Sequence, residues 1–234
     1  ADGKMKMISR IVASLAGVFI VSACHGRPAE IPTQVIYRYD DHRYLEIKGF
    51  YCQGALWYTD TKRGIKTEIM DKFYRAFGEI YIHPSERYMA VPDWESSGGM
   101  VSKDYGETWQ PAPMVGFTYP GNRELHSVTV VDDRAYWLAK DGRLYTSSAP
   151  FDDPRAMEGG TGIDYIIDGE KEHLRAGHIT NGWGLQFIQN TDLDHLTYGL
   201  LSNWQPVPKK VPEVKNYQGW DHMKCNPDLG LTAK

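Results

Sequence analysis

Short runs of β-branched and aromatic residues, each followed by a polar turn, recur along most of this chain. The run 134–139 is bounded by Asp132-Asp133 and by Asp141-Gly142, which are dipeptides typical of tight hairpins. With 15 tyrosines, 7 tryptophans and 23 glycines, the composition suits strands and turns. The pattern predicts an all-β, antiparallel fold, either a small or incomplete β-propeller-like body, with a sandwich behind it, or a β-sandwich alone.

The segments expected to be strands are rich in β-branched or aromatic residues: 34–39, 43–48, 54–59, 65–69, 79–83, 88–91, 100–102, 127–131, 134–139, 143–147, 163–167, 183–188 and 197–201. One segment, 68–77, favours a short helix instead, because Ile69, Phe73 and Phe77 recur at helical spacing. Three prolines in 205–212 predict an extended course along the surface.

The N-terminus has the organisation of a secretory signal. Three basic residues precede the apolar run 11–21, and the small residues Ser22 and Ala23 lead to Cys24. A bilayer-spanning helix needs about 20 apolar residues, so this run is too short to be one. The last four residues of this segment, 21–24, resemble a bacterial lipobox, which implies a lipid on Cys24; the alternative is an ordinary signal with a chance cysteine.

These features divide the chain into a signal peptide (1–23), a lipidated tether (24–34) and a β domain (35–234), with residues 1–4 expected to precede the natural start. His25, which follows the lipidated position, is typical of sorting to the outer membrane. The predicted location is therefore the periplasm, with the protein anchored by lipid.

Cys52 and Cys225 are the two cysteines left once Cys24 carries lipid. An even pair in an oxidising compartment favours a disulfide, which would tie the C-terminal tail to the body. The alternative is two buried free thiols.

The charge balance limits the classes of partner. The chain has 26 basic and 30 acidic residues, a net charge of −4. Removal of residues 1–23 takes away three basic residues and one acidic residue and leaves −6. A mildly acidic chain without a basic run argues against nucleic acid as the partner.

The clearest motif is the segment SKDYGETW at 102–109. It resembles the Asp-box, a β-hairpin turn found in sialidases and other β-propeller proteins, through five residues: Ser102, Asp104, Gly106, Thr108 and Trp109. The carboxylate of Asp104 can accept backbone N–H groups, and Gly106 can adopt positive φ. This motif predicts a structural turn and carries no catalytic group.

No pattern of catalytic residues emerges, and no cofactor, metal or catalytic residue is predicted. The sequence has no G-x-S-x-G, H-E-x-x-H, Walker or C-x-x-C motif. The candidate polar groups are better explained by hydrogen-bonded histidines or polar turns: His173 with His178, Asp192 with Asp194 and His195, and the run Asp40-Asp41-His42.

The segment 92–99 is a possible contact loop. It places Trp94 between Asp93 and Glu95 and ends in two glycines. A tryptophan on a loop can anchor a protein partner, and these three residues are the predicted contact. The alternative is a Trp94 ring folded back onto the sheet.

The segment 36–69 (IYRYDDHRYLEIKGFYCQGALWYTDTKRGIKTEI), the SKDYGETW turn and the lipobox together resemble a family of type VI secretion immunity lipoproteins. Members of that family protect bacteria against lipase (phospholipase) effectors. The resemblance implies a non-enzymatic protein that binds one cognate lipase toxin, 1:1, while a lipid holds it at the membrane. Two alternatives stay open, a periplasmic glycan-binding or sialidase-like propeller protein and a structural envelope lipoprotein.

Overall fold

The structure is a computed structural model that describes residues 30–93, 98–113, 125–142, 144–147, 151, 154–155, 158–167, 170–176, 189–190 and 210–231. Several predictions concern residues outside these ranges: the signal 1–23, Cys24, Trp94, Glu95, His178, Asp192, Asp194, His195 and the strands 183–188 and 197–201. Within the described ranges, no helix has the length and apolar character needed to cross a membrane.

The described residues form fourteen strands and no helix. The strands are β1 (Thr33–Arg38), β2 (Arg43–Phe50), β3 (Gln53–Asp60), β4 (Ile65–Arg75), β5 (Ile80–Ile82), β6 (Met89–Pro92), β7 (Gly98–Ser102), β8 (Gln110–Pro113), β9 (Leu125–Val131), β10 (Arg134–Ala139), β11 (Leu144–Thr146), β12 (Ile163–Ile167), β13 (Glu170–Leu174) and β14 (Gln189–Asn190).

These strands form four sheets, ordered β1-β2-β3-β4, β14-β11-β10-β9-β5, β6-β7-β8 and β12-β13. All pairs are antiparallel except β5 with β9, which run parallel. The all-β, antiparallel class is therefore confirmed, with this one exception. A propeller-like or sandwich arrangement of the sheets stays a prediction.

The helix predicted over 68–77 is wrong, because this segment continues strand β4 beside β3. A helix would align Ile69, Phe73 and Phe77 on one face. In the structure Ile69 is 5% exposed and Phe77 is 1% exposed, whereas Phe73 is 75% exposed. Backbone pairing with a neighbouring strand thus overrides the helical spacing of three apolar residues.

Tyrosines join three of the four sheets in one core. The hydroxyl of Tyr37 in β1 donates to the carbonyl of Tyr81 in β5 at 2.7 Å, and the hydroxyl of Tyr81 donates to the carbonyl of Ala90 in β6 at 2.5 Å. The hydroxyl of Tyr74 in β4 reaches the carbonyl of Pro92 at 3.2 Å. Each of these three rings therefore adds apolar area to the core and still has a hydrogen-bond partner for its polar end.

The C-terminal segment 210–231 runs along the free edge of β1. The N–H groups of Trp220 and Lys224 donate to the carbonyls of Arg38 and Ile36 at 2.8 and 2.7 Å. The predicted disulfide is present, with 5.9 Å between the Cα atoms of Cys52 and Cys225. The tail is thereby tied covalently to the β2–β3 hairpin.

Candidate partner-binding surface

The 102–109 turn is held by hydrogen bonds among its own residues. The Asp104 carboxylate accepts the Thr108 N–H at 2.9 Å, the Thr108 hydroxyl at 2.5 Å and the Ser102 hydroxyl at 2.8 Å. The Gly106 N–H donates to Ser102 Oγ at 2.8 Å. Partial burial raises the pKa of Asp104, but these hydrogen bonds outweigh it and hold the pKa below its ordinary value.

Trp109 ties this turn to the first sheet. Its indole N–H contacts the carbonyl of Gly106 at 3.0 Å and the Thr67 hydroxyl at 3.1 Å, and its ring lies edge-on to Tyr58. Gly106 has a φ of 90°, and a Cβ there would come within 2.3 Å of the Tyr58 ring. The motif residues are thus occupied in holding the fold. Whether the turn is an Asp-box in the family sense stays a prediction.

The Asp40-Asp41-His42 run forms a turn, and it is the group in the described ranges whose atoms lie close enough to hold a metal ion. Asp40 Oδ1 accepts the N–H groups of His42 and Arg43 at 3.0 and 2.7 Å. Asp40 Oδ2 receives the Arg43 guanidinium at 2.6 Å. Partial burial raises the pKa of Asp40, but the bonds and charge of Arg43 outweigh it and hold the pKa low. Asp40 is therefore engaged as a turn residue.

His83 lies fully buried in the tyrosine-rich core, where its Nε2 accepts the Ala90 N–H at 3.0 Å. Burial and the positive charge of Arg43 lower the pKa of His83 to about 3. This imidazole is therefore neutral at physiological pH and acts as a hydrogen-bond acceptor in the core.

Asp93 is the one residue of the predicted contact Asp93, Trp94 and Glu95 that lies within the described residues. It is half-buried and directly follows β6, whose last carbonyl binds the Tyr74 hydroxyl. The predicted contact loop thus begins at a strand anchored in the core.

A different surface, which no sequence motif marks, exposes three large apolar side chains at one end of the first sheet. We call it the hairpin-end surface and define it by Ile31, Lys48, Tyr51, Lys72 and Phe73. Ile31 is 50% exposed, Tyr51 67% and Phe73 75%. These side chains surround an open hollow of about 500 Å³.

The β2–β3 turn that presents Tyr51 has an unusual sequence for its geometry. Tyr51 and Cys52 have φ values of 55° and 60°. Positive φ at both central residues is typical of a type I′ turn, which favours Asn and Gly. Gly49 and Gly54 face each other behind the turn, where a Cβ on Gly49 would lie 1.9 Å from the carbonyl oxygen of Gln53. The turn is thus closely packed and fixed by the disulfide.

Phe73 is displayed by a bulge in β4. Gly54 pairs with Tyr74 and Leu56 pairs with Met70, so residues 71–73 all lie opposite Ala55. Such an insertion leaves residues outside the ladder and redirects their side chains. Phe73 itself has a φ of 65°, which is rare for an aromatic residue. The bulge therefore forms one wall of the hollow, with Ala55 contributing to its lining.

Of the three charged residues that line the hollow, two are basic. Lys48 and Lys72 are exposed and form no ion pair with a described residue, and Asp71 lies beside them. A second hollow of about 210 Å³ adjoins the first through Lys48 and contains Trp57. There, Lys66 is paired with Glu46 at 3.3 Å. The surface therefore combines exposed rings with two lysine charges that a partner could neutralise.

Residues 29–139 match the model of a family described as T6SS Tli3 immunity protein, where T6SS is the type VI secretion system. The matched region contains strands β1–β10, the 102–109 turn and the whole hairpin-end surface. No curated protein matches the chain. The family match supports an immunity protein of the type VI secretion system, whose task implies binding a cognate toxin.

Proposed function

We propose that this chain neutralises a cognate type VI phospholipase toxin by binding it 1:1 in the periplasm. The match of residues 29–139 to the immunity family is the observation that carries this proposal. The resemblance of segment 36–69 to immunity proteins against lipases supports the choice of toxin class.

The candidate polar groups are engaged within the fold, and this supports binding as the mode of action. The carboxylates of Asp40 and Asp104 are bound by N–H and hydroxyl groups of their own turns, and His83 is neutral and buried. A tight inhibitor needs a rigid complementary surface, and the disulfide-tied sheet offers one.

The proposed location follows from the N-terminal sequence. Diacylglycerol on Cys24 would hold the domain at a membrane, most simply the outer one, through the tether 24–34. The Cys52–Cys225 disulfide fits an oxidising compartment. Tethering raises the local concentration of an inhibitor at the membrane that a phospholipase attacks.

The loop that starts at Asp93 belongs to this proposal as a contact with the toxin. Trp94, with Asp93 and Glu95 on either side, would insert into the toxin. Replacement of Trp94 by alanine should weaken toxin binding roughly 30-fold. An affinity equal to that of the original chain would remove the loop from the contact.

Protection of living cells tests the function. The proposed toxin, a lipase whose gene we expect beside the gene for this chain, is expressed in the periplasm with the full chain, with a variant lacking 1–23, and with Cys24→Ala behind a cleavable signal. We expect the exported chain to restore growth, the unexported one to fail, and the unlipidated one to protect at higher expression. A lipase without its catalytic serine serves as the control for toxicity.

The proposal is wrong if the exported, folded chain neither binds this lipase nor restores growth. Saccharide binding in a glycan array, combined with that failure, would favour the glycan-binding alternative.

A further inference from the structure

We infer that the hairpin-end surface is where the toxin docks, and that the toxin presents there a protruding apolar side chain flanked by carboxylates. This inference rests on the proposed function and adds the contact surface and the chemistry of the partner segment.

Exposure of two large rings is the first argument. Tyr51 and Phe73 are 67% and 75% exposed, although most of the other aromatic rings whose burial the structure describes lie in the core. Exposed apolar groups that surround a concavity are typical of interaction sites. Aromatic side chains supply much of the binding energy in protein interfaces at a small cost in conformational entropy.

The rigidity of the surface is the second argument. Tyr51 is held between a closely packed glycine pair and the disulfide of Cys52, and Phe73 is fixed by a bulge whose ends are paired in the sheet. All three residues have positive φ, which costs free energy at non-glycine positions. A backbone that already holds these residues in one arrangement loses little freedom on binding.

The third argument concerns charge, which indicates the chemistry of the partner segment. Lys48 and Lys72 outnumber Asp71 in the lining of the hollow, which leaves a local positive charge beside the rings in a chain whose net charge is −4. A partner segment with carboxylates on both sides of an apolar side chain would pair with these lysines while filling the hollow. Such local complementarity increases the association rate and the specificity.

An anionic membrane would also attract lysines and aromatic rings, and Ile31 lies seven residues after Cys24. The shape of the surface favours a protein. A hollow of about 500 Å³ lined in part by Gly49, Gly54 and Ala55 accepts a protruding side chain, whereas a planar bilayer would leave it unfilled. The negative net charge of the chain also opposes an anionic bilayer.

The test measures binding of full-length variants to the neighbouring lipase with its catalytic serine replaced by alanine. We expect Tyr51→Ala and Phe73→Ala each to weaken affinity roughly 30-fold. The charge reversals Lys48→Glu and Lys72→Glu together should lower the association rate roughly tenfold and reduce its salt dependence.

Tyr105→Ala is the matched control. Tyr105 is also an exposed aromatic residue with positive φ, at 63°, but it lies at the turn next to the other end of β3. Its replacement should change affinity less than about twofold. Thermal unfolding of each variant shows whether the fold is kept, and the lysine variants test the surface without removing any ring.

The outcomes separate the inference from the function. If the original chain binds the toxin and all three surface variants bind equally well, the docking surface is wrong and the proposed function stands. If the original chain binds no toxin, the proposed function fails. If the variants keep full toxin affinity but lose binding to phosphatidylglycerol-containing vesicles, the surface contacts membrane and the inference is overturned.

Discussion

Two hairpin turns of this protein each hold a tyrosine in a left-handed backbone conformation, but the two side chains differ in their exposure and contacts. Tyr105 in the 102–109 turn lies under the Arg63 guanidinium, 4.4 Å from the ring centre, and is 36% exposed. Tyr51 in the β2–β3 turn is 67% exposed and borders an open hollow. The turn with a recognisable motif stabilises the fold, and the turn without one presents a surface.

The two turns also differ in what fixes them. The 102–109 turn is closed by short-range hydrogen bonds to Asp104, within four residues in the chain. The β2–β3 turn depends on a covalent bond to Cys225, 173 residues away. Perturbations should therefore affect the two turns separately, and the following predictions use this difference, from the largest effect to the smallest.

Removal of the disulfide should have the largest effect. The double variant Cys52→Ser, Cys225→Ser loses a cross-link that closes a long loop, which costs roughly 4 kcal/mol of unfolding free energy. Thermal unfolding should occur about 10 °C lower. Reduction of the original protein should reproduce the shift.

Exchange of the Thr108 amide with deuterium provides the control for that experiment, because the 102–109 turn keeps all its hydrogen bonds when the disulfide is lost. Faster exchange at Thr108 under conditions where the protein stays folded would show that the two turns are coupled.

Substitution of two glycines that have nearly the same φ tests how closely the 102–109 turn is packed. Gly106 and Gly142 have φ values of 90° and 89°, but only at Gly106 would a Cβ meet another group, the Tyr58 ring at 2.3 Å. Gly106→Ala should cost about 3 kcal/mol, from backbone strain and a clash, and Gly142→Ala about 1 kcal/mol, from strain alone. If urea unfolding gave the two variants equal losses of unfolding free energy, the close packing of Gly106 against Tyr58 would be contradicted.

His83 in the core should make the free energy of unfolding depend on pH. This dependence should not be altered by changes in either turn. The pKa of His83 is lowered to about 3, so the unfolded chain takes up its proton first as the pH falls below 6.5. The free energy of unfolding is therefore highest above pH 6.5, where His83 is neutral in both states. It falls by about 1.4 kcal/mol per pH unit towards pH 3. His83→Asn should make the free energy of unfolding less dependent on pH between pH 6.5 and 5. An equally steep dependence in the variant and the original protein would contradict this prediction.

A small effect is expected at Asp104. Asp104→Ala removes the acceptor for Thr108 and Ser102 and should cost about 1–2 kcal/mol. Since the folded pKa of Asp104 is lowered, its contribution is present above pH 4 and is lost as the pH falls further. The difference from the original chain in unfolding experiments should therefore shrink below pH 4, whereas toxin affinity at neutral pH should stay unchanged.

Local signals were enough to predict most strands and turns. Asp132 and Asp133 both adopt positive φ between β9 and β10, as their composition indicated, and the hairpin around Asp141-Gly142 is also present. The disulfide followed from the number of cysteines and the expected compartment. In these cases a few neighbouring residues or a simple count determined the outcome.

Long-range contacts explain what the sequence did not show. The parallel pairing of β5 with β9 joins residues 47 apart in the chain and leaves no local trace. Strand β13 (Glu170–Leu174) was missed because its charged residues resemble a loop. The exposure of Phe73 results from a bulge set by pairing across β3, so helical spacing was misleading there.

Amide hydrogen exchange of the chain with and without the inactive toxin tests the contrast between the two turns most directly. Binding should slow exchange at the β2–β3 turn and the 71–73 bulge, and leave the amides of 102–109 unchanged. Slower exchange confined to 102–109, with 48–55 and 71–73 unaffected, would contradict this account.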